Sequence, residues 1–192
     1  MPDLASTLLG VRYVVVGGIA TSLYMPARTT KDVDVLVTLA DAPVVEQALR
    51  NAGAALVGPL SIDNPLQIEG DTWRLPDGSD LYVLRSSRPR AAEAVSRPNR
   101  CVAGPPVVAL PYLVLMKLAA SRGVDIGDLT RMLGAADDWA LGEVRAVVRH
   151  YLPDAVEDME SLAELGRLEF QPAAPMTPAA GAQPSEREAA DS

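Results

Sequence analysis

Lys31-Asp32-Val33-Asp34-Val35-Leu36-Val37 narrows what this chain can become more than any other stretch. Along an extended backbone successive side chains point to opposite faces. Asp32, Asp34 and Leu36 then share one face, and Val33, Val35 and Val37 take the other. Acid and hydrocarbon are separated by face, the signature of a strand with one side in a core. Just upstream, Tyr13 to Val16 reads as a buried strand that stops at Gly17-Gly18. A short helix through Ile19, Ala20 and Leu23 is expected next, ended by Pro26.

Downstream, Asp41 is placed to cap a helix carrying Val44, Val45, Ala48 and Leu49, with Gly53 at its C-terminal end. From Leu66 to Leu84 the pattern predicts an antiparallel meander: Gln67-Ile68-Glu69, a turn, Thr72-Trp73-Arg74, a Pro76-Asp77-Gly78 turn, then Asp80 to Leu84. An arginine-rich connection and the Gly104-Pro105-Pro106 break follow. The rest is expected to be helical, starting near Pro111 and continuing over Ile126 to Leu133, Leu141 to His150 and Asp154 to Leu168. Gln171 to Ser192 offers almost nothing to bury and predicts a disordered tail. The expected fold is α/β: a small mixed, largely antiparallel sheet flanked by helices, with a helical C-terminal portion. Its divisions are a core over 1–104, a helical portion over 105–170 and a tail over 171–192.

With 192 residues, 48% of them hydrophobic, the chain can bury the core of one compact domain. Its net charge of -8 argues against indiscriminate coating of nucleic acid, which depends on basic residues. Cys101 is the only cysteine and His150 the only histidine, which excludes disulfide frameworks and Cys/His zinc clusters within the chain. No run approaches the roughly 20 apolar residues of a membrane helix, and Met1 to Gly10 does not read as a secretory signal. A soluble protein of the reducing cytoplasm, without membrane contact, is expected.

The acids carry the chemistry. Asp32 and Asp34, at i and i+2, place their α carbons about 7 Å apart on one face. Magnesium prefers hard oxygen ligands and is usually held by one or two carboxylates together with substrate phosphates, so the pair can converge on two such cations. Asp80, opening a neighbouring strand, is the candidate third carboxylate, on the nucleophile's side of a two-metal site. Gly17 and Gly18, without side chains, would let backbone N–H groups approach phosphate oxygens.

Val16-Gly17-Gly18-Ile19-Ala20 followed by Arg28-Thr29-Thr30-Lys31-Asp32-Val33-Asp34-Val35-Leu36 resembles the first motif of the minimal nucleotidyltransferases of the polymerase-β superfamily, most closely the AbiEii-like, toxin–antitoxin associated branch. The resemblance implies that Asp32 and Asp34 bind metal, that Asp80 is the third carboxylate, and that Arg28 and Thr29 neighbour the phosphates of a nucleoside triphosphate. Many relatives have Gly-Ser where this chain has Gly17-Gly18. A second likeness runs from Leu115 to Leu129, a lysine-bearing helix followed by a basic residue and Asp-x-x-Asp. It implies that Lys117 contacts the triphosphate and that Asp125 and Asp128 shape the site. Where relatives have Arg-Asp this chain has Val124-Asp125, with Arg122 displaced by two positions. The likeness covers roughly residues 11 to 135.

Apart from any family, Lys117 is the one charge between Tyr112 and Ala120, so it either snorkels to solvent or points into a polar cleft. Arg85, Arg88, Arg90, Arg97 and Arg100 form a basic stretch that could receive an RNA acceptor or a triphosphate, or simply be a solvated loop. His150 reads as structural, Cys101 as a small buried hydrophobe, and Trp73 and Trp139 as core or groove aromatics. The expected activity is transfer of a nucleoside monophosphate to an acceptor hydroxyl on a tRNA end, a partner protein or a small molecule, with a cognate antitoxin as a partner. The alternative is a non-catalytic binding or antitoxin-like module of the same fold.

Overall fold

The computed structural model describes residues 4–26, 30, 32–60, 66–99 and 104–170. Arg100, Cys101 and the expected tail over 171–192 lie outside the described residues. A one-turn helix α1 (Leu4–Thr7) leads into β1 (Val14–Val16), α2 (Gly17–Thr21) and β2 (Val33–Thr38). Helix α3 (Ala42–Asn51) is followed by β3 (Ala55–Leu60), β4 (Glu69–Arg74) and β5 (Asp80–Ser86). The remainder is helical: α4 (Pro89–Ser96), α5 (Leu110–Ala120), α6 (Gly123–Ala135), α7 (Asp138–Tyr151), a 3-10 turn (Pro153–Ala155) and α8 (Val156–Phe170). The fold is mixed α/β, with a five-stranded sheet ordered β1-β2-β5-β4-β3. Among these five strands β2 and β5 pair in parallel and the other described pairings are antiparallel.

The valine face of β2 is the centre of the core. Val33, Val35 and Val37 are buried, as are all three residues of β1. Strand β1 does not end the sheet nakedly: the Val15 N–H donates to Pro106 O at 2.8 Å and the Val108 N–H to Val15 O at 3.0 Å. This connection runs parallel to β1 and occupies its outer hydrogen-bonding groups, as an exposed sheet edge requires. The Tyr24 hydroxyl donates to Val108 O at 2.8 Å and pins the same segment from the side. Helix α5 is buried nearly all round, with Leu113, Val114 and Leu115 at most 1% exposed, because it lies between the sheet side of the fold and helices α6 and α7. Helices α6 and α8 cross at Gly134 and Gly166, where a Cβ on either glycine would overlap backbone of the other helix.

Several elements depart from the sequence reading. Strand β3 was not expected, because Gly58 and Pro59 break its pattern. It survives as an edge strand with a bulge between Leu56 and Gly58, where a proline costs no ladder bond. The turn expected near Gly70 is instead continuous β4, where a Cβ on Gly70 would press on the methyl ends of Leu60 and Leu84. Asp41 takes the expected N-cap position of α3, but its side chain makes no capping bond: the carboxylate accepts from the Thr38 hydroxyl at 2.7 Å. Asp137 caps α7 through the Ala140 N–H at 2.8 Å. Part of the arginine-rich connection is helix α4, entered at Pro89 in the first turn. Trp73 is buried with the Arg50 guanidinium 5.3 Å over its ring, whereas Trp139 is 76% exposed and belongs to no core. His150 packs edge-on against Tyr151 with centroids 4.4 Å apart.

Candidate functional site

Strand register builds the site. Asp34 lies opposite Val16 across the β1–β2 ladder and opposite Tyr82 across β2–β5. Gly17 follows Val16 with φ +63, a left-handed conformation that glycine adopts without strain. A Cβ on Gly17 would overlap the Asp34 carboxylate. On Gly18 it would come within 2.8 Å of Thr30 Oγ1. The glycine pair thus has a packing role that the sequence reading did not assign to it: it makes room for Asp34 and Thr30.

Asp34 is partly buried while Asp32, one step nearer the strand's start, is exposed. Burial first, then the like charge of Asp32, pushes the Asp34 carboxyl up to about 6; Arg122 and Lys117 pull the other way. The same cleft wall that carries those two cations is made by α5 and the start of α6. Gly17, Gly18, Thr30, Asp32, Asp34, Tyr82, Lys117 and Arg122 line one cleft of about 620 Å³, within the range of small-molecule sites. Leu60, Leu66, Ile68, Leu84, Leu113 and Met116 form its apolar half.

Lys117 neither snorkels nor stands free. Its ammonium is buried and donates to Asp125 Oδ1 at 2.9 Å and to Asp128 Oδ2 at 2.7 Å. Asp125 is 0% exposed. Burial alone would raise its pKa, but hydrogen bonds from Arg122 and Lys117 outweigh that and hold it below the ordinary carboxylate range. Arg122 Nε donates to Asp125 Oδ2 at 2.7 Å, while most of the Arg122 side chain faces solvent. Ser121 makes this closure possible by taking a left-handed conformation, φ 50, at the end of α5, which turns the chain back at Arg122. The arginine displaced in sequence is therefore returned in space to the aspartate it would accompany. Two cations and two carboxylates form a quartet of zero net formal charge behind the cleft wall.

Asp80 stands apart from the lining. It is the cross-strand partner of Arg74, whose guanidinium donates to both its carboxylate oxygens. Tyr82, two residues on and on the same face, lines the cleft instead. Burial, followed by the charges of Asp32, Asp80 and Asp34, raises the Tyr82 pKa, so all three acids lie within electrostatic reach of one phenol. Among the described residues no three carboxylate, imidazole or thiol groups are clustered closely enough to hold a metal by themselves. Arg28 and Thr29 lie outside the described residues.

Two arginines of the expected basic stretch are engaged within the fold. Arg85 pairs with Asp71 and Glu69, and Arg88 donates to Gln67 Oε1. Sequence reasoning missed Tyr82, although its i+2 spacing from Asp80 was visible. It also missed the apolar wall, whose members come from β3, β5, α5 and the approach to β4.

Comparison with known proteins gives no matching family model and no matching curated protein. Among solved structures, the chain is similar to the solution structure of the antibiotic-resistance factor ANT(2'')-Ia. That match has 14% identity and a TM-score of 0.44, over 83% of this chain and 84% of that one. It is likewise similar to the crystal structure of ANT(2'')-Ia in complex with adenylyl-2''-tobramycin. There the identity is 15% and the TM-score 0.44, over 84% of this chain and 90% of that one.

Proposed function

We propose that this chain is a nucleotidyltransferase, transferring a nucleoside monophosphate from a triphosphate to an acceptor hydroxyl with release of pyrophosphate. The observation that carries the reading is Asp34. A carboxylate kept partly buried beside a second acid, against a glycine that only just admits it, is held in an unfavourable state that a bound cation would relieve. Hard oxygen donors suit magnesium, and two carboxylates leave ligand positions for phosphate oxygens and water. Asp32 and Asp34 would hold the ion, with Asp80 on the adjoining strand as the reserve carboxylate. When bound, magnesium would offset the charge of the triphosphate and of the departing pyrophosphate.

The remaining chemistry is positioning. Lys117 donates to two aspartates and keeps a third N–H for a phosphate oxygen. Arg122, anchored on Asp125, presents the rest of its fork to the cleft. The acceptor oxygen forms its bond to the α phosphorus as the bond from that phosphorus to the β-bridging oxygen breaks. In this reading residues 1–104 supply the acids and the portion over 105–170 supplies the cations.

The acceptor is an RNA end, a protein or a small molecule bearing a hydroxyl. The engagement of Arg85 and Arg88 within the fold removes much of the argument for RNA. A toxin role with a cognate antitoxin is tested by growth arrest on expression, wild type against Asp32→Ala. The decisive experiment for the reaction is calorimetric titration of the four nucleoside triphosphates with magnesium. Binding by the wild type that disappears in Asp32→Ala/Asp34→Ala supports the reading; no binding of any triphosphate to the wild type refutes it.

A further inference from the structure

Beyond the apolar half of the cleft lies a second, small cavity of about 20 Å³, space for a single oxygen-sized group. The two spaces share Leu66, Ile68 and Met116 as walls. Arg90, from the first turn of α4, lines the small cavity, and its Nη2 is buried with no hydrogen-bond partner. An unsatisfied buried N–H is costly and calls for an explanation. Two hydroxyls also line this cavity and both donate elsewhere, Ser86 Oγ to Gln67 O at 3.2 Å and Tyr112 to Glu93 at 2.8 Å, so Arg90 is the lining side chain with a donor left for a guest there.

Position along the sheet suggests the missing partner. Asp34 and Thr38 are four residues apart on β2, about 13 Å at the usual strand rise. Thr38 pairs with Ser86 at the small cavity. Helix α5 spans the same interval, with Lys117 beside the acids and Tyr112 beside Arg90. A nucleotide whose α-phosphate sits at the acids would lay its ribose and base along the apolar wall, with the far edge of the base at the shared residues.

We propose that Arg90 is the base-reading group of this cleft. Its unpaired N–H donates to a carbonyl oxygen on the distal edge of a purine, selecting guanine, which presents O6, over adenine, which presents an amino group there. Guanidinium has donors and no acceptors, so an amino group at that edge meets a second donor and leaves both unpaired. The inference rests on the nucleotidyltransferase reading above and names the specificity of the same site.

The test uses magnesium-dependent equilibrium binding to the full chain. The wild type should bind GTP about tenfold more tightly than ATP, with inosine triphosphate, which keeps the carbonyl alone, ranking with GTP. Arg90→Met, which keeps the start of the aliphatic stem and removes the donors, should abolish the difference between GTP and ATP. The inosine comparison needs only the wild type, so it stands even if the variant does not fold. Triphosphate binding with ATP at least equal to GTP, or a GTP preference that survives Arg90→Met, overturns the assignment while leaving the nucleotidyltransferase reading intact. Absence of binding by every triphosphate overturns both.

Discussion

Replacing Asp34 by asparagine should make the metal-free protein more stable while abolishing transfer. The Asp34 carboxyl is pushed from an ordinary 3.8 to about 6, first by burial and then by Asp32. Holding it ionised in the fold therefore costs about 3 kcal/mol at pH 8, from 1.36 kcal/mol for each pKa unit. Asparagine has nearly the same shape and no charge, so Asp34→Asn removes that cost. For a chain of this size each kcal/mol moves Tm by about 2–4 °C, giving a rise of about 6–12 °C in chelator. The sign depends on pH. Between 3.8 and about 6 the native state retains a proton that the unfolded chain has lost, so wild-type stability falls as pH rises through that window. The variant lacks this titration. The gap between the two should be near zero at pH 4 and full above pH 6, and magnesium at pH 8 should narrow it by stabilising only the wild type. Calorimetric melting at pH 4, 5, 6 and 8 reads all of this. Equal Tm values at pH 8, or a gap independent of pH, would refute the reasoning.

Two further perturbations probe the scaffold. Lys117→Met leaves Asp125 and Asp128 buried without their shared cation and should cost about 3–5 kcal/mol in urea unfolding, far more than an exposed lysine would. Gly166→Ala drives a methyl into the Thr130 carbonyl at the α6–α8 crossing and should cost about 3 kcal/mol, read as a lower urea midpoint; an unchanged midpoint would mean that the helices part freely.

What the sequence disclosed follows from where the determining forces act. The face alternation of Asp32 to Val37 is a local property of an extended chain, so the burial of its valines and the cleft position of its acids were legible. The hairpin from Thr72 to Leu84 was legible for the same reason, since Pro76-Asp77-Gly78 makes its own turn: the Gly78 N–H donates to Leu75 O at 2.9 Å. Strand β3 was not, because an edge strand needs only one ladder and tolerates the Gly58-Pro59 that local propensity reads as a break. The Arg74–Asp80 pair could not be foreseen, because it depends on the hairpin register that brings residues six apart opposite each other. The arginines of 85–97 read as a basic surface because charge is visible in sequence and counter-charge is not: Asp71 lies fourteen residues before the Arg85 it pairs with. Arg122 was out of register with its expected place, and only the left-handed turn at Ser121 restores its bond to Asp125.

The hydrogen bonds that tie Pro106 to Val108 along β1 bear on how the cleft can open. A hinge needs a stretch of backbone free to change its dihedrals, and the natural place for one is the passage from the sheet to α5. That passage is instead laced to the first strand, held laterally by the Tyr24 hydroxyl, and bonded to Asn99, whose N–H donates to Val107 O at 2.7 Å. Swinging α5 away from the acids would mean unzipping a strand-like seam, a cooperative step and not a pivot. The seam therefore couples the position of the cation-bearing wall to the strand that runs beside the aspartates.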